Sequence, residues 1–352
     1  MKNLFRKFNV FYTFVLITFF VLALFKLFYS ISKVNIILEL AIKVASWVVF
    51  RVVLALPFIC ALLAVAFYTL IERKLLGIFM IRKGPNKVGF IGVMQPFRDA
   101  GKLFTKEVVV PRYSNKGPFL FCPAILLGFS LILWVLYPFK CVRVIFVCGL
   151  IQFLLISGLR VYGVIVAGWS SNSKYALLGS VRAVAQRISY EVPLRFVQFS
   201  ITIFAGSILI QEVSEFQING NVLILCIVVR FVVWVICILA ETNRAPFDLV
   251  EGESELVSGF NVEYSGGAFA LVYIAEYSRM LFNRLITGVL FFGVNELFIS
   301  IIALVFACFY VLIRAATPRI RYDKLIYVCW TVVLCFILIL SLIVILNCFN
   351  NY

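Results

Sequence analysis

The sequence predicts an all-α polytopic membrane protein with eight core transmembrane helices and an extra helix at its N-terminus. Three observations lead there. Of the 352 residues, 64% are apolar, and the mean hydropathy of +1.08 lies far outside the range of soluble globular chains. The apolar runs continue unbroken for about 20 residues or more, which is the length a helix needs to cross the hydrocarbon core. A β-barrel would instead show short alternating segments. Finally, most of the 32 Lys and Arg sit in connecting segments and helix ends, so the net charge of +16 is a topology signal and not a nucleic-acid footprint.

In chain order, residues 9–30 form the first apolar run, preceded by Lys2, Arg6 and Lys7. The run resembles a signal sequence but is long and has no small-residue cleavage site, so it reads as a retained anchor or spanning helix. From Asn35 to Ile71 the chain is apolar for 37 residues, roughly 55 Å as one helix, against a hydrocarbon core of about 30 Å. A break is therefore expected, with 35–46 lying at the interface and a span from about 47 to 71. Residues 1–46 are read as an extension and 47–352 as the membrane core. Further spans are expected at 117–137, 144–168, 189–211, 221–240, 267–292, 294–314 and 326–347.

This arrangement puts the connections 72–116, 168–188, 241–266 and 315–325 on one face. They carry 10, 3, 1 and 3 basic residues, against 2 and 0 in the opposite connections 138–143 and 212–220. The positive-inside rule places the richer face in the cytoplasm or matrix.

The ten Cys lie in or beside apolar segments without a CxxC pair, and His is absent. Iron–sulfur, haem and zinc ligation have almost no material here, so no metal or covalent cofactor is expected in this chain. Without imidazole, proton handling falls to carboxylates, water and Tyr such as Tyr190 or Tyr264.

Chemistry concentrates in three stretches. The segment 241–267 carries six of the sixteen acids, Glu241, Asp248, Glu251, Glu253, Glu255 and Glu263, with Arg244 as its one base. Carboxylates this close repel one another, and burial beside a bilayer adds desolvation, so they should titrate as a coupled group with raised pKa values. The connection 72–116 holds the turn Gly84-Pro85-Asn86 among Arg73, Arg82 and Lys83, with Glu72, Asp99 and Glu107 as available partners. The stretch 168–193 is rich in Ser, Asn and small residues. It ends at Glu191, nine residues after Arg182. Glu191 and, more strongly, Glu276 place a carboxylate where charge is expensive, which marks each as a functional candidate.

Taken together, ERKLLG, RKGPNKVG and QPFRDAGKLFTKE, then GWSSNSKYALLGSVRAVAQ with SYEV, then ETNRAPFDLVEGESELVSGFNVEYSGG with FALVYIAEY, and PRIRYDKL closely resemble the chain 1 family of NADH:ubiquinone oxidoreductase, respiratory complex I. The motifs stand in the family's order and cover about residues 50–347. Some positions depart from the family: Met80 replaces a usual Gln, Arg98 a usual small residue, and Arg187, Pro193 and Arg195 are atypical.

The resemblance implies an eight-helix core that forms most of a ubiquinone-access tunnel, with ubiquinone as substrate and FMN and iron–sulfur clusters in partner subunits. Arg73, Arg82, Arg182, Arg244 and Met80 are the tunnel candidates. Glu241, Glu251, Glu253 and Glu255, with Asp99 near the start and Glu191 and Glu276 leading into the membrane, are the candidates for a proton relay. The implied partners are peripheral-arm quinone-module subunits, antiporter-like membrane subunits and the lipid bilayer, without nucleic acid. The implied site is the mitochondrial inner membrane or a bacterial plasma membrane. A rival reading is an autonomous proton-coupled secondary transporter, which predicts internal repeats. The acidic stretch has no second copy.

Overall fold

A computed structural model describes residues 39–138, 148–218, 228–248, 259–293 and 296–350. The expected N-terminal helix at 9–30 and the carboxylates Glu251, Glu253 and Glu255 lie outside the described residues. The described elements are helical: α1 Glu39–Phe79, α2 Gln95–Thr105, α3 Lys116–Val135, α4 Gly149–Ser170, α5 Lys174–Ala205, α6 Ile210–Ile218, α7 Val228–Glu241, α8 Gly266–Phe291, α9 Glu296–Ala316, α10 Tyr322–Tyr327 and α11 Leu334–Asn350. A wider π-helical turn, Val328–Val333, joins α10 to α11.

Five segments are long and apolar enough to cross a membrane: Leu56–Phe79, Lys116–Val135, Gly149–Ser170, Glu296–Ala316 and Tyr322–Val344. The pair α5–α6, bent by 59°, passes the same test when its two helices are taken together, as a broken span or a re-entrant loop. Gly206, with φ of +68°, closes α5 in the left-handed conformation that glycine adopts freely and makes that bend possible. Among the described residues, the two remaining expected spans do not meet the same test. α7 is described for 14 residues only, and α8 interrupts its apolar run with Glu276, Arg279, Asn283 and Arg284.

Three boundaries differ from expectation. α1 runs 41 residues without the expected break near residue 47, with Pro57 inside it, and continues through the ERKLLG motif to Phe79. Leu, Glu, Arg and Lys are good helix formers, so their polarity alone does not end a helix. The connection 72–116 is therefore largely helical, since α2 lies within it. The stretch 174–188 likewise belongs to α5, because it has neither Pro nor a turn-forming pair to stop it.

α8 is the central helix and packs against α1, α2, α3, α6 and α9. Both of its sides are buried, with Phe282, Ile286 and Leu290 fully enclosed beside Trp134, Phe153 and Trp234. The Trp134 indole N–H donates to Ser278 Oγ at 2.8 Å, so its polar edge is satisfied in the core. In a bilayer, lipid is as apolar as a Leu side chain, and close fit rather than hydrophobicity holds helices together. α4 shows this on two faces. A Cβ at Gly163 would stand 2.7 Å from Leu126 Cδ2 of α3, and one at Gly168 would stand 2.3 Å from Ser180 Oγ of α5.

The four motif connections meet at one end of the bundle. Val109 N–H donates to Ser265 Oγ at 2.9 Å, and Asn115 N–H donates to the Ser170 carbonyl at 2.9 Å. Ile320 N–H donates to the Pro246 carbonyl at 3.0 Å. Gly179 in α5 lies against the Gly259–Asn261 turn, where an added Cβ would be 2.9 Å from the Gly259 backbone. At the other end, Leu150 N–H reaches the Ile208 carbonyl, and Gly293 abuts Gln217.

Candidate functional site

At the motif end, the Glu72 carboxylate organises a buried charge cluster. It sits on α1 and is 4% exposed. Arg244 Nη1 donates to its Oε1 at 2.9 Å, Arg314 Nη1 donates to the same oxygen at 2.5 Å, and the Tyr277 hydroxyl donates to Oε2 at 2.7 Å. The Arg244 guanidinium also lies over the Tyr277 ring, 4.7 Å from its centroid, and the Tyr273 ring packs against Tyr277 at 4.4 Å, tilted by 38°. Burial works against the Arg244 cation, but Glu72 together with the Tyr277 and Tyr68 hydroxyls more than offsets it and holds its pKa above the ordinary range.

Arg244 is presented by the turn that follows α7. Gln186 of α5 ties both ends of this turn, its side-chain amide donating to the carbonyls of Ala240 at 3.1 Å and Phe247 at 3.0 Å. Phe247 N–H closes the turn on the Arg244 carbonyl at 2.8 Å. Asp248 then pairs with Arg319 at 3.3 Å. Burial pushes the Asp248 carboxyl pKa up, although Arg319, Arg244 and Arg314 pull against it.

Beside the cluster, Arg73 Nη1 reaches Asp99 Oδ2 at 2.5 Å, and Gln95 donates to Asp99 Oδ1 at 2.8 Å. Arg73 also lies within electrostatic range of Tyr273 and Tyr277. Arg73, Asp99, Arg244 and Glu72 therefore form one patch around this Tyr pair. Met80 and Arg82 are exposed in the turn after α1. Arg182 is elsewhere, on α5 and within electrostatic range of Tyr322.

Deeper in the bundle lies a second group. Arg279 donates through Nη2 to the Glu241 carbonyl, and its Nη1 is 3.6 Å from Glu241 Oε1. Asn283 Nδ2 donates to Glu241 Oε2 at 3.1 Å. Arg160 and Arg187 are buried nearby, and Arg160 interacts electrostatically with Arg279, Arg187, Glu276 and Glu241. Glu191 pairs with Arg195 at 2.5 Å and rests against Gly158, where an added Cβ would be 3.1 Å from its carboxylate. Of the relay candidates, Glu241 and Glu276 share one neighbourhood, while Asp99 and Glu191 each have their own Arg.

Sequence reasoning placed Glu72 among possible partners for nearby bases, but not as the hub. It missed Tyr277, Arg314, Arg279, Asn283 and Gln186. Tyr277 directly follows Glu276, and Arg314 breaks the end of an apolar run. Arg279 and Asn283 likewise interrupt an apolar run, and Gln186 ends a family motif, so each had a signal in the sequence but none that named its partner.

This fold and site define a polytopic helical membrane protein with a buried acid–base network where its polar connections converge. Residues 52–345 match the NADH dehydrogenase family model. The chain is 53% identical over 294 residues to NADH-ubiquinone oxidoreductase chain 1 of Mytilus edulis, covering 84% of this chain and 96% of that protein. It is 48% identical to the chain 1 of Aedes aegypti (77% and 87% covered) and 47% identical to that of Heterololigo bleekeri (77% and 88%). The chain belongs to the NADH-ubiquinone oxidoreductase chain 1 family.

Proposed function

We propose that this chain is a core membrane subunit of NADH:ubiquinone oxidoreductase, lining the ubiquinone-access tunnel and forming the quinone-proximal end of a carboxylate proton relay. It works as part of the enzyme and has no catalytic activity alone. The observation that most supports this reading is the patch of Glu72, Arg73, Asp99, Arg244 and Tyr277, where cations, carboxylates and phenols converge at the end of an apolar bundle. A quinone tail needs apolar walls, and its headgroup accepts hydrogen bonds. Reducing it takes up protons, which coupled carboxylates nearby can sense.

In this reading Arg73, Arg82, Arg244 and Met80 flank the tunnel, and Arg182 supports it from α5. Glu241, Glu251, Glu253 and Glu255 take up the charge change, with Asp99 near the start. Glu276 and Glu191 carry it into the membrane plane. Residues 1–46 are an extension to an eight-helix core. FMN, iron–sulfur clusters and the antiporter-like chains belong to partner subunits, and the motif end faces the matrix of the mitochondrial inner membrane.

The test compares two NADH oxidation rates in membranes carrying Glu253→Gln. Oxidation coupled to ubiquinone should fall sharply, while oxidation by an artificial flavin-level acceptor stays intact. Normal quinone-coupled activity would remove Glu253 from the relay.

A further inference from the structure

Outside the charge cluster, α2 has a surface that the proposed activity does not use. Its inner side, with Pro96, Asp99 and Leu103, packs toward α1 and α8. Phe97 meets Phe67 of α1 edge-on at 5.9 Å, and Phe67 lies within the Leu56–Phe79 span. α2 is therefore seated against the side of a membrane-crossing helix. At 100° per residue, the rest of its surface divides into two stripes. One is apolar and exposed, with Phe97 at 46%, Gly101, and Phe104 at 58%. The other is basic and exposed, with Arg98 and Lys102, followed by Lys106 just past the helix end.

Among the described residues, no acid pairs with Arg98 or Lys102, since Asp99 on the inner side is held by Arg73 and Gln95. A soluble helix would bury the Phe97–Phe104 stripe or replace it. An apolar stripe beside a basic stripe, seated at the flank of a span, is the pattern of a helix lying in the membrane interface. There the rings face acyl chains and the bases face headgroups. Charge complementarity then selects the headgroup, because each unpaired base gains from an anionic phosphodiester and not from a zwitterion of zero net charge.

We propose that α2 is a docking site for anionic phospholipid, with Phe97 and Phe104 against the acyl chains and Arg98 and Lys102 on the headgroup phosphate. Because Asp99 links this helix to Arg73, a lipid bound here rests one helix face away from the charge cluster.

The test uses the assembled enzyme in nanodiscs of phosphatidylcholine mixed with phosphatidylglycerol, with p-benzoylphenylalanine in place of Phe104. Light-induced cross-links should favour phosphatidylglycerol over phosphatidylcholine by about fivefold for each base, the equivalent of about 1 kcal/mol per base. The double variant Arg98→Gln, Lys102→Gln should lose that preference, and Lys102→Arg alone should keep it. Equal cross-linking to both lipids in the otherwise unaltered enzyme would overturn the proposal. So would cross-linking to a protein chain instead of lipid, which would make the face a subunit contact. The unaltered enzyme carries the decisive comparison, so the result does not depend on whether the double variant assembles.

Discussion

Glu72 and Arg244 stand 172 residues apart in the chain and meet in a 2.9 Å ion pair. The contact joins the end of α1 to the turn after α7, and Arg314 and Tyr277 bring α9 and α8 to the same carboxylate. One side chain thus ties four separate elements at the motif end. Glu72→Gln keeps the size and much of the hydrogen bonding but leaves Arg244 buried without its counter-charge. Breaking such a pair costs about 3 kcal/mol or more. The expected outcome is a lower dissociation temperature and less assembled enzyme on native gels stained for NADH oxidation. Tyr277→Phe removes one buried hydrogen bond and should cost about 1–3 kcal/mol by the same measurements.

The pH dependence of Asp248 has a definite sign. Burial raises its folded-state pKa above the ordinary value, so below about pH 4 the carboxyl is neutral folded or unfolded and contributes nothing. As pH rises through the unfolded and then the folded pKa, the unfolded chain binds fewer protons than the folded one, and stability falls. At neutral pH the whole cost is present. Asp248→Asn removes it, at the expense of a partly exposed contact with Arg319. Melting temperatures should therefore favour the variant at pH 7, and the difference should shrink toward zero near pH 4. A variant less stable than the parent at pH 7 would show that the Arg319 pair outweighs burial.

The helical class, the family motifs and the convergence of the polar connections were all legible in the sequence, because apolar run length and charge distribution report them directly. Helix boundaries were not. Residues such as Glu72, Arg73 and Lys74 look like a loop by polarity, yet α1 continues through them because their helix propensity is high and their charges find partners. The site was legible as a list of charged residues but not as pairs. Asp99 on Arg73 follows from neighbouring motifs, whereas Glu241 on Arg279 and Asn283 depends on how α7 packs beside α8. No local pattern encodes that packing.

Two of the buried arginines, Arg160 and Arg279, differ in their surroundings, and their variants should behave oppositely. Arg160 is 2% exposed, and its Nε and Nη1 have no hydrogen-bond partner among the described residues. It also faces Arg279 and Arg187. A cation in that setting carries its desolvation cost, and among the described residues Glu276 and Glu241 act on it only from a distance, without an ion pair. Arg160→Gln removes that buried charge and is expected to be neutral or stabilising. Arg279 instead pairs directly with Glu241, so Arg279→Gln takes the closest counter-charge among the described residues from a buried carboxylate and should lower the dissociation temperature. Thermal dissociation of the two variants, measured side by side, separates these cases.

Gly179 tests whether the geometry of the acidic connection matters apart from its charges. In α5 it allows the Gly259–Asn261 turn to approach so closely that an added Cβ would sit 2.9 Å from backbone atoms of Gly259 and Phe260. Backbone cannot yield as a flexible side chain can, so Gly179→Ala must push the turn outward, at about 1–3 kcal/mol for overpacking. The turn leads into Tyr264, which stacks on Phe119 at 4.3 Å, and into Ser265, which holds the Val109 amide. Displacing it should therefore shift the C-terminal anchor of the acidic connection while leaving every carboxylate of the sequence unreplaced. The expected outcome is reduced ubiquinone-coupled NADH oxidation with the artificial-acceptor rate preserved and the assembled band still present on native gels. Full quinone-coupled activity in that variant would mean that the connection tolerates a shift on the scale of a methyl group. Its charges, and not its fixed position, would then carry the function.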